Sequence, residues 1–316
     1  MVNKILVSFF ERLFFNPNRF DWVIILFLTP LSSLFATVMF FRRILSAKKN
    51  YNIPIISIGN LTVGGSGKTP FVIALASCYN DTFIISRGYG RESRGLVEVS
   101  HQGKILSNVF ASGDEPMLMA KSLPNSSVIV SEDRVTAIAL ALKQGAKLII
   151  LDDGFNRVSI KKFEILLFPK TIKNYLPFPA GPFREFFFSK KFADLNLVEE
   201  RDFKRVVEII NPSQKMLLVT AISNPSRLEP FLPSNYDGAN IIVDKIYFED
   251  HAYFEEELLS QKMSELGATS LLVTQKDEVK MEGFRLPLSI MKLELQINNE
   301  VLEKIDNYIE MYKRDK

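Results

Sequence analysis

Cysteine, histidine and tryptophan are nearly absent from this chain: its 316 residues include one Cys, two His and one Trp. A single cysteine excludes an internal disulfide framework and a multi-cysteine metal site, and it fits a reducing, cytoplasmic setting. Cys78 itself lies in a helix-like apolar run, where it reads as a small buried core residue. Excess charge of one sign is also lacking. A net charge of +3 with 24% charged residues leaves no broad basic field to track a nucleic-acid backbone, so nucleic acid is not an expected partner. There is no internal repeat and no low-complexity segment. A hydrophobic content of 47% belongs to a folded body with room for two domains.

What the chain does have is a long apolar run near its start. Residues 22–41 carry no charge at all; at ~1.5 Å per residue, about twenty helical residues cover ~30 Å, roughly one hydrocarbon core. The run starts too far from Met1 for a cleaved signal peptide and ends at Arg42-Arg43 rather than at small residues. Before it, Val2, Ile5, Leu6, Phe9, Phe10, Leu13 and Phe14 recur at helical spacing, the pattern of an interfacial helix. Asn16-Pro17-Asn18 separates the two segments, and basic residues flank the long one on both sides, so charge gives no orientation. Pro30 and Ser32-Ser33 in mid-run leave two membrane readings open, a straight span and a bent helix dipping into one leaflet. A hairpin buried in the protein's own core is the non-membrane alternative.

Beyond a polar linker, short apolar runs at 55–58, 83–86, 128–131, 148–151 and 165–168 alternate with helix-like patterns at 69–79, 115–122 and 133–144, the last ending at Gly145. Such alternation predicts a parallel sheet covered by helices. A second set of candidate strands follows at 216–221, 241–247, 271–274 and 291–297. The expected organisation is a membrane-associated helical segment over 1–45, a P-loop NTPase-like α/β domain over 46–210 and a smaller α/β domain over 211–316.

Between the first strand and the first helix lies Gly59-Asn-Leu-Thr62-Val63-Gly64-Gly65-Ser66-Gly67-Lys68-Thr69-Pro70, a glycine-rich loop in P-loop context. Backbone N–H groups of Thr62 through Gly67 can converge on phosphate oxygens, Lys68 can reach the β- and γ-phosphates, and Thr69 can ligate magnesium. Thr62 stands where the usual motif opens with glycine. The strand ending in Asp152-Asp153-Gly154 supplies the carboxylates expected to hold magnesium opposite such a loop. The cofactors implied are therefore a nucleoside triphosphate and Mg2+.

Further polar clusters fall at strand ends and loops: Ser86-Arg87-Gly88-Tyr89-Gly90, Gly113-Asp114-Glu115-Pro116, Ser131-Glu132-Asp133-Arg134 and Pro179-Ala-Gly-Pro-Phe-Arg184-Glu185. The second and third also read as ordinary helix starts with favourable acids. Phe186 to Phe188 are core or an acyl-chain wall. His251, among Glu249, Asp250 and Tyr253, is a histidine that neighbouring carboxylates could tune for proton work.

Taken together and in this order, the motifs resemble the tetraacyldisaccharide 4'-kinase (lipid A 4'-kinase) family, from the N-terminal anchor to Val273-Thr274-Gln275-Lys276-Asp277. The Thr-Val-Gly-Gly-x-Gly-Lys-Thr-Pro loop is itself a trait of that family. The resemblance implies transfer of the ATP γ-phosphate to the 4'-hydroxyl of a tetraacylated glucosamine disaccharide 1-phosphate. That step gives lipid IVA in lipid A biosynthesis, at the cytoplasmic face of the bacterial inner membrane. It implies that Asp114 accepts the hydroxyl proton, with support from His251 when the C-terminal domain closes over the site. It further implies that Arg134 and Arg184 neutralise phosphate charge and that Glu185 supports the site. Partners are then ATP, the acylated disaccharide and the membrane, with no obligate protein partner evident. Many members carry Gln-His where this chain has Asn156-Arg157, so no role for that pair carries over. A membrane-bound switch ATPase would share the loop and the Asp pair but would not need Arg87, Asp114 or His251. Against a scaffold with a vestigial nucleotide site stand the intact Gly67-Lys68-Thr69 and both aspartates.

Overall fold

The computed structural model of the chain describes residues 2–64, 67–233 and 241–314. Along the chain the elements run α1 (Val2–Phe15), α2 (Asp21–Leu45), β1 (Ile55–Gly59), α3 (Lys68–Ala76), β2 (Thr82–Ser86), β3 (Val97–His101) and β4 (Lys104–Ile105). Then follow α4 (Val109–Ser112), α5 (Asp114–Ser122), β5 (Ser126–Val130), α6 (Arg134–Lys143), β6 (Leu148–Asp152), β7 (Phe163–Phe168), β8 (Leu195–Val198) and β9 (Phe203–Ile210). The last are β10 (Lys215–Thr220), β11 (Ile241–Tyr247), α7 (Glu256–Leu266), β12 (Ser270–Thr274), α8 (Gln275–Glu278), β13 (Leu288–Ile297) and α9 (Asn299–Arg314). Two compact units emerge, Met1–Lys68 with Lys147–Lys204 and Ile297–Lys316, and Thr69–Ala146 with Arg205–Gln296.

In the first unit β6, β1, β7 and β8 lie side by side, all parallel, with Ile58 of β1 opposite Asp152 of β6. β1 and β6 are buried at every position. That is why they read as unbroken apolar runs, as strands covered on both faces must. Val301, Ile305 and Ile309, one stripe of α9, are buried, and Tyr308 donates its hydroxyl to the carbonyl of Ile55 at 3.1 Å.

The two N-terminal helices belong to the same unit. Arg12 of α1 forms a forked pair with Asp21 at the start of α2, at 3.1 and 3.0 Å. Asn18 holds the turn, its side chain accepting from the N–H groups of Phe20 and Asp21. Leu13, Phe14, Ile25 and Ala180 then form a small core. Further along α2, the Ala180 N–H donates to Ser32 at 2.8 Å, Phe35 meets Phe178 edge-on and Phe40 meets Phe188. The opposite side exposes Trp22, Leu26, Phe27, Leu31, Leu34, Val38, Phe41 and Leu45. The helix is thus packed along its whole length on one face and bare and apolar on the other.

In the second unit, β2 pairs parallel with β5, and β3 and β4 extend that edge antiparallel. A second sheet runs β11-β10-β12-β13-β9, its core built from residues such as Leu217, Val219, Leu259, Leu271 and Val273. The parallel expectation therefore holds for the strands read from apolar runs, and the antiparallel β3-β4 edge is an addition to it. Cys78 corrects another expectation: it follows the end of α3 and is exposed rather than buried.

Candidate active site

The chain passes from β1 through the glycine-rich loop into α3, as the motif requires. Gly64 and Gly67 hold φ of 88° and 76°. Gly65 and Ser66, also expected to cradle phosphate, lie outside the described residues. Thr62 is buried and bridges to Phe183, and the Val63 N–H donates to the Pro182 carbonyl at 2.8 Å, so residues 182–184 run along the loop. Lys68 opens α3 and Thr69 follows in its first turn, largely buried.

Lys68 is held by two polar side chains. Its Nζ donates to the side-chain carbonyl of Asn60 at 3.1 Å and stands 3.7 Å from Asp153. Asn60 in turn donates its amide to the Gly64 carbonyl at 3.4 Å. Asp153 has a φ of 51°, which turns the chain sharply just past β6, and Arg184 reaches the same carboxylate at 3.1 Å. Asp152 ends β6 and is buried. Gly154 is obligatory here: a Cβ would lie 2.7 Å from both Leu151 Cβ and Ser57 Oγ. Glu185, next to Arg184, is buried and pairs with Arg43 of α2 at 2.6 Å.

The second unit assembles a different cluster. Gly113 takes a φ of 88° immediately before α5, and a Cβ there would press to 3.0 Å of the Tyr89 carbonyl oxygen. Asp114 is the first residue of the helix and is 4% exposed. One carboxylate oxygen accepts the Glu115 N–H at 2.8 Å, and the other meets His251 Nδ1 at 2.8 Å. His251 has a φ of 63°, its N–H donates to the Ala221 carbonyl at 3.1 Å, and its ring lies 5.3 Å from that of Tyr89. Its Nε2 stands 3.7 Å from Asp250.

Lys276, at the start of α8, lies 3.6 Å from Asp114 and 3.2 Å from Glu115. Burial works against the charge of Asp114, but the His251 hydrogen bond and the Lys276 ammonium outweigh it and hold the carboxyl below its ordinary pKa. Burial likewise disfavours the Lys276 charge, and Glu115, Asp114 and Asp250 overcome that and raise it. Asp277 anchors this corner: fully buried, it accepts from Thr220 Oγ1 at 2.6 Å and from the Ala221 N–H at 3.1 Å. It thereby fixes the residue that holds His251.

Arg134 is buried, and its guanidinium donates to the Ser131 carbonyl. Asp133 caps α6 by accepting from the Val135 N–H at 2.9 Å, so the reading of this cluster as a capped helix start also describes it. Arg87 is exposed. Residue patterns gave no role to Asn60, Arg43 or Lys276. The signal available for Lys276 was its place in the Thr274-Gln-Lys-Asp277 element; Asn60 and Arg43 carry none without the fold.

A parallel α/β sheet with a P-loop-type strand, loop and helix, carboxylates at the adjacent strand end and a buried Asp–His pair define a nucleotide-dependent phosphotransferase class. Comparison with known proteins narrows the class. The family model described as "Tetraacyldisaccharide-1-P 4'-kinase" matches residues 24–216 and 204–310. The tetraacyldisaccharide 4'-kinase of Helicobacter acinonychis is 48% identical over 306 residues, 96% of each chain. That of Aliarcobacter butzleri is 43% identical over 99% of this chain and 100% of its own. A crystal structure of LpxK from Aquifex aeolicus in complex with ATP superposes with a TM-score of 0.74 at 28% identity, over 90% of this chain and 99% of that one. The chain belongs to the tetraacyldisaccharide 4'-kinase family.

Proposed function

We propose that this chain transfers the γ-phosphate of ATP to the 4'-hydroxyl of a tetraacylated glucosamine disaccharide 1-phosphate, at the cytoplasmic face of a bacterial inner membrane. The reading rests above all on the Asp114–His251 pair. A switch ATPase has no use for a buried carboxylate held as an anion by a histidine and a lysine, whereas a kinase acting on an alcohol needs a base for the hydroxyl proton. As the sugar oxygen bonds to phosphorus and the bond to the β-phosphate oxygen breaks, Asp114 takes the proton and ADP leaves. His251 orients the carboxylate, and Lys276 keeps it ionised.

The donors available to magnesium are hard oxygens, the carboxylates of Asp152 and Asp153 and the hydroxyl of Thr69, which suit that ion. Magnesium when bound neutralises phosphate charge. Lys68 and Arg184 neutralise more of it, and backbone N–H groups of the glycine-rich loop other than that of Val63, which is held by Pro182, orient the phosphates. Arg134 keeps a place in the proposal as a further cation, and Glu185 as a residue supporting the site. The division into an anchor over 1–45, a kinase domain over 46–210 and a C-terminal α/β domain over 211–316 belongs to the same proposal.

The bare apolar face of α2 suits an acylated substrate. A helix packed on protein along its whole length cannot also be ringed by lipid, so α2 lies in one leaflet with its exposed face in the bilayer. The half-exposed rings of Phe40, Phe186 and Phe188 beside it suit acyl chains. ATP consumption by protein in detergent micelles, with and without the acylated disaccharide 1-phosphate, tests the reading. Consumption should depend on the lipid and vanish in Lys68→Ala; a rate indifferent to lipid would refute it.

A further inference from the structure

Two consecutive arginines at the end of α2 grip two consecutive carbonyls of the loop that follows the aspartates. Arg42 donates to the Asn156 carbonyl at 3.2 Å, and Arg43 to the Phe155 carbonyl at 3.1 Å. Arg43 also forks onto Glu185, Nε to Oε2 at 2.9 Å and Nη2 to Oε1 at 2.6 Å, and its guanidinium carbon sits 3.8 Å from the centre of the Phe155 ring. Both members of the pair are buried, Arg43 at 6% and Glu185 at 1% exposure.

Beyond a looser contact with the Phe192 ring at 5.7 Å, the two residues that Arg43 hydrogen-bonds each adjoin a residue assigned to the nucleotide site. Glu185 follows Arg184, which binds Asp153 by its side chain and the Leu61 carbonyl by its N–H at 2.7 Å. Phe155 follows Gly154 and packs so tightly on the end of β1 that a Cβ on Gly59 would lie 2.7 Å from its own Cβ. A planar guanidinium that forks, stacks and donates at once fixes all these segments in a way an ammonium cannot.

We propose that Arg43 is a positioning residue of the nucleotide site: it couples the bilayer-facing helix to the loop carrying Asp152 and Asp153, and so sets the geometry in which that loop meets magnesium. The proposal rests on the assignment of those aspartates to magnesium made above. A pair that merely stabilised the fold would be replaceable by apolar residues of similar volume, because well-packed apolar groups often substitute for a buried ion pair without loss of stability.

The test is the double variant Arg43→Met/Glu185→Leu in full-length protein, with a fluorescent ATP analogue titrated in the presence and absence of magnesium and the melting temperature recorded alongside. The gain in nucleotide affinity on adding magnesium should fall by about tenfold or more, the usual cost of losing a residue that orients metal ligands. The melting temperature should stay close to that of the wild type. A folded double variant that keeps the full magnesium-dependent gain overturns the proposal. If the double variant does not fold, Arg43→Lys serves: it keeps the charge but loses the fork and the stacking. A partial loss of the magnesium gain supports the proposal and an undiminished gain overturns it. Wild-type protein that binds the analogue with no gain from magnesium sinks the metal assignment itself, which separates the two failures.

Discussion

Replacing Lys276 by methionine isolates the charge that steadies the proposed base. The ammonium lies 3.6 Å from Asp114, which is 4% exposed, and is shared with Glu115 at 3.2 Å. A unit-charge pair at ~4 Å in a medium of effective dielectric ~20 is worth about 4 kcal/mol. Sharing with Glu115 and partial exposure of the lysine reduce the differential effect to about 1–2 kcal/mol. For a protein of this size the melting temperature should fall by about 2–3 °C near neutral pH.

The pH dependence follows from both partners. A carboxyl depressed in the folded state contributes stability above its unfolded pKa and loses it as pH falls through the folded one. A raised lysine contributes below its unfolded pKa and loses that as pH rises through the folded one. The gap between wild type and Lys276→Met should therefore be flat across neutral pH. It should narrow in acid, once Asp114 begins to protonate in the variant, and again in strong alkali. Thermal melts in detergent micelles across this range measure it. A gap that does not change with pH, or no gap at all, would refute the electrostatic argument.

Asp114→Asn should lower kcat by about 10²–10⁴-fold, the usual contribution of a general base, while leaving nucleotide affinity intact; single-turnover phosphorylation alongside nucleotide titration checks both. His251→Ala removes the donor that depresses Asp114, so the acid limb of kcat/KM should move to higher pH, and an unmoved limb would contradict the pairing. Aspartates at the exposed positions Leu26 and Leu34 should release the protein from vesicles with little change in melting, because each charge costs about 2–3 kcal/mol in hydrocarbon. Sedimentation with the vesicles as before would contradict the leaflet-bound helix. Ile25→Asp, by contrast, should destabilise the fold, since Ile25 is buried against Leu13 and Ala180.

Elements whose signal is local were legible from residues alone. The 148–151 run became Leu148–Asp152, 241–247 became Ile241–Tyr247, and the charge-free stretch lies within one helix, Asp21–Leu45. The strands that escaped notice, Val97–His101 and Phe203–Ile210, mix charged and apolar residues and lie partly exposed, so no unbroken apolar run marks them. The amphipathic helix Asn299–Arg314 was missed as well, although its buried stripe of Val301, Ile305 and Ile309 is regular.

Site residues divide the same way. Lys68, Asp152 and Asp153 announce themselves because a strand and a turn fix them locally. Asp114 and His251 lie 137 positions apart, and Arg43 and Glu185 142 apart, so only the fold joins them. Arg134 sits at a helix start, where its guanidinium also donates to the Ser131 carbonyl, so residue pattern alone does not separate a capping from a phosphate-binding cation.

Purified full-length protein incubated with ATP, magnesium and the acylated disaccharide 1-phosphate, with the lipid product followed by mass and phosphorus resonance, bears most directly on the central claim. The lipid should become one phosphate heavier, the new phosphate on the 4'-oxygen, at a rate that collapses in Asp114→Asn. ATP turnover that leaves the lipid unphosphorylated would contradict the claim.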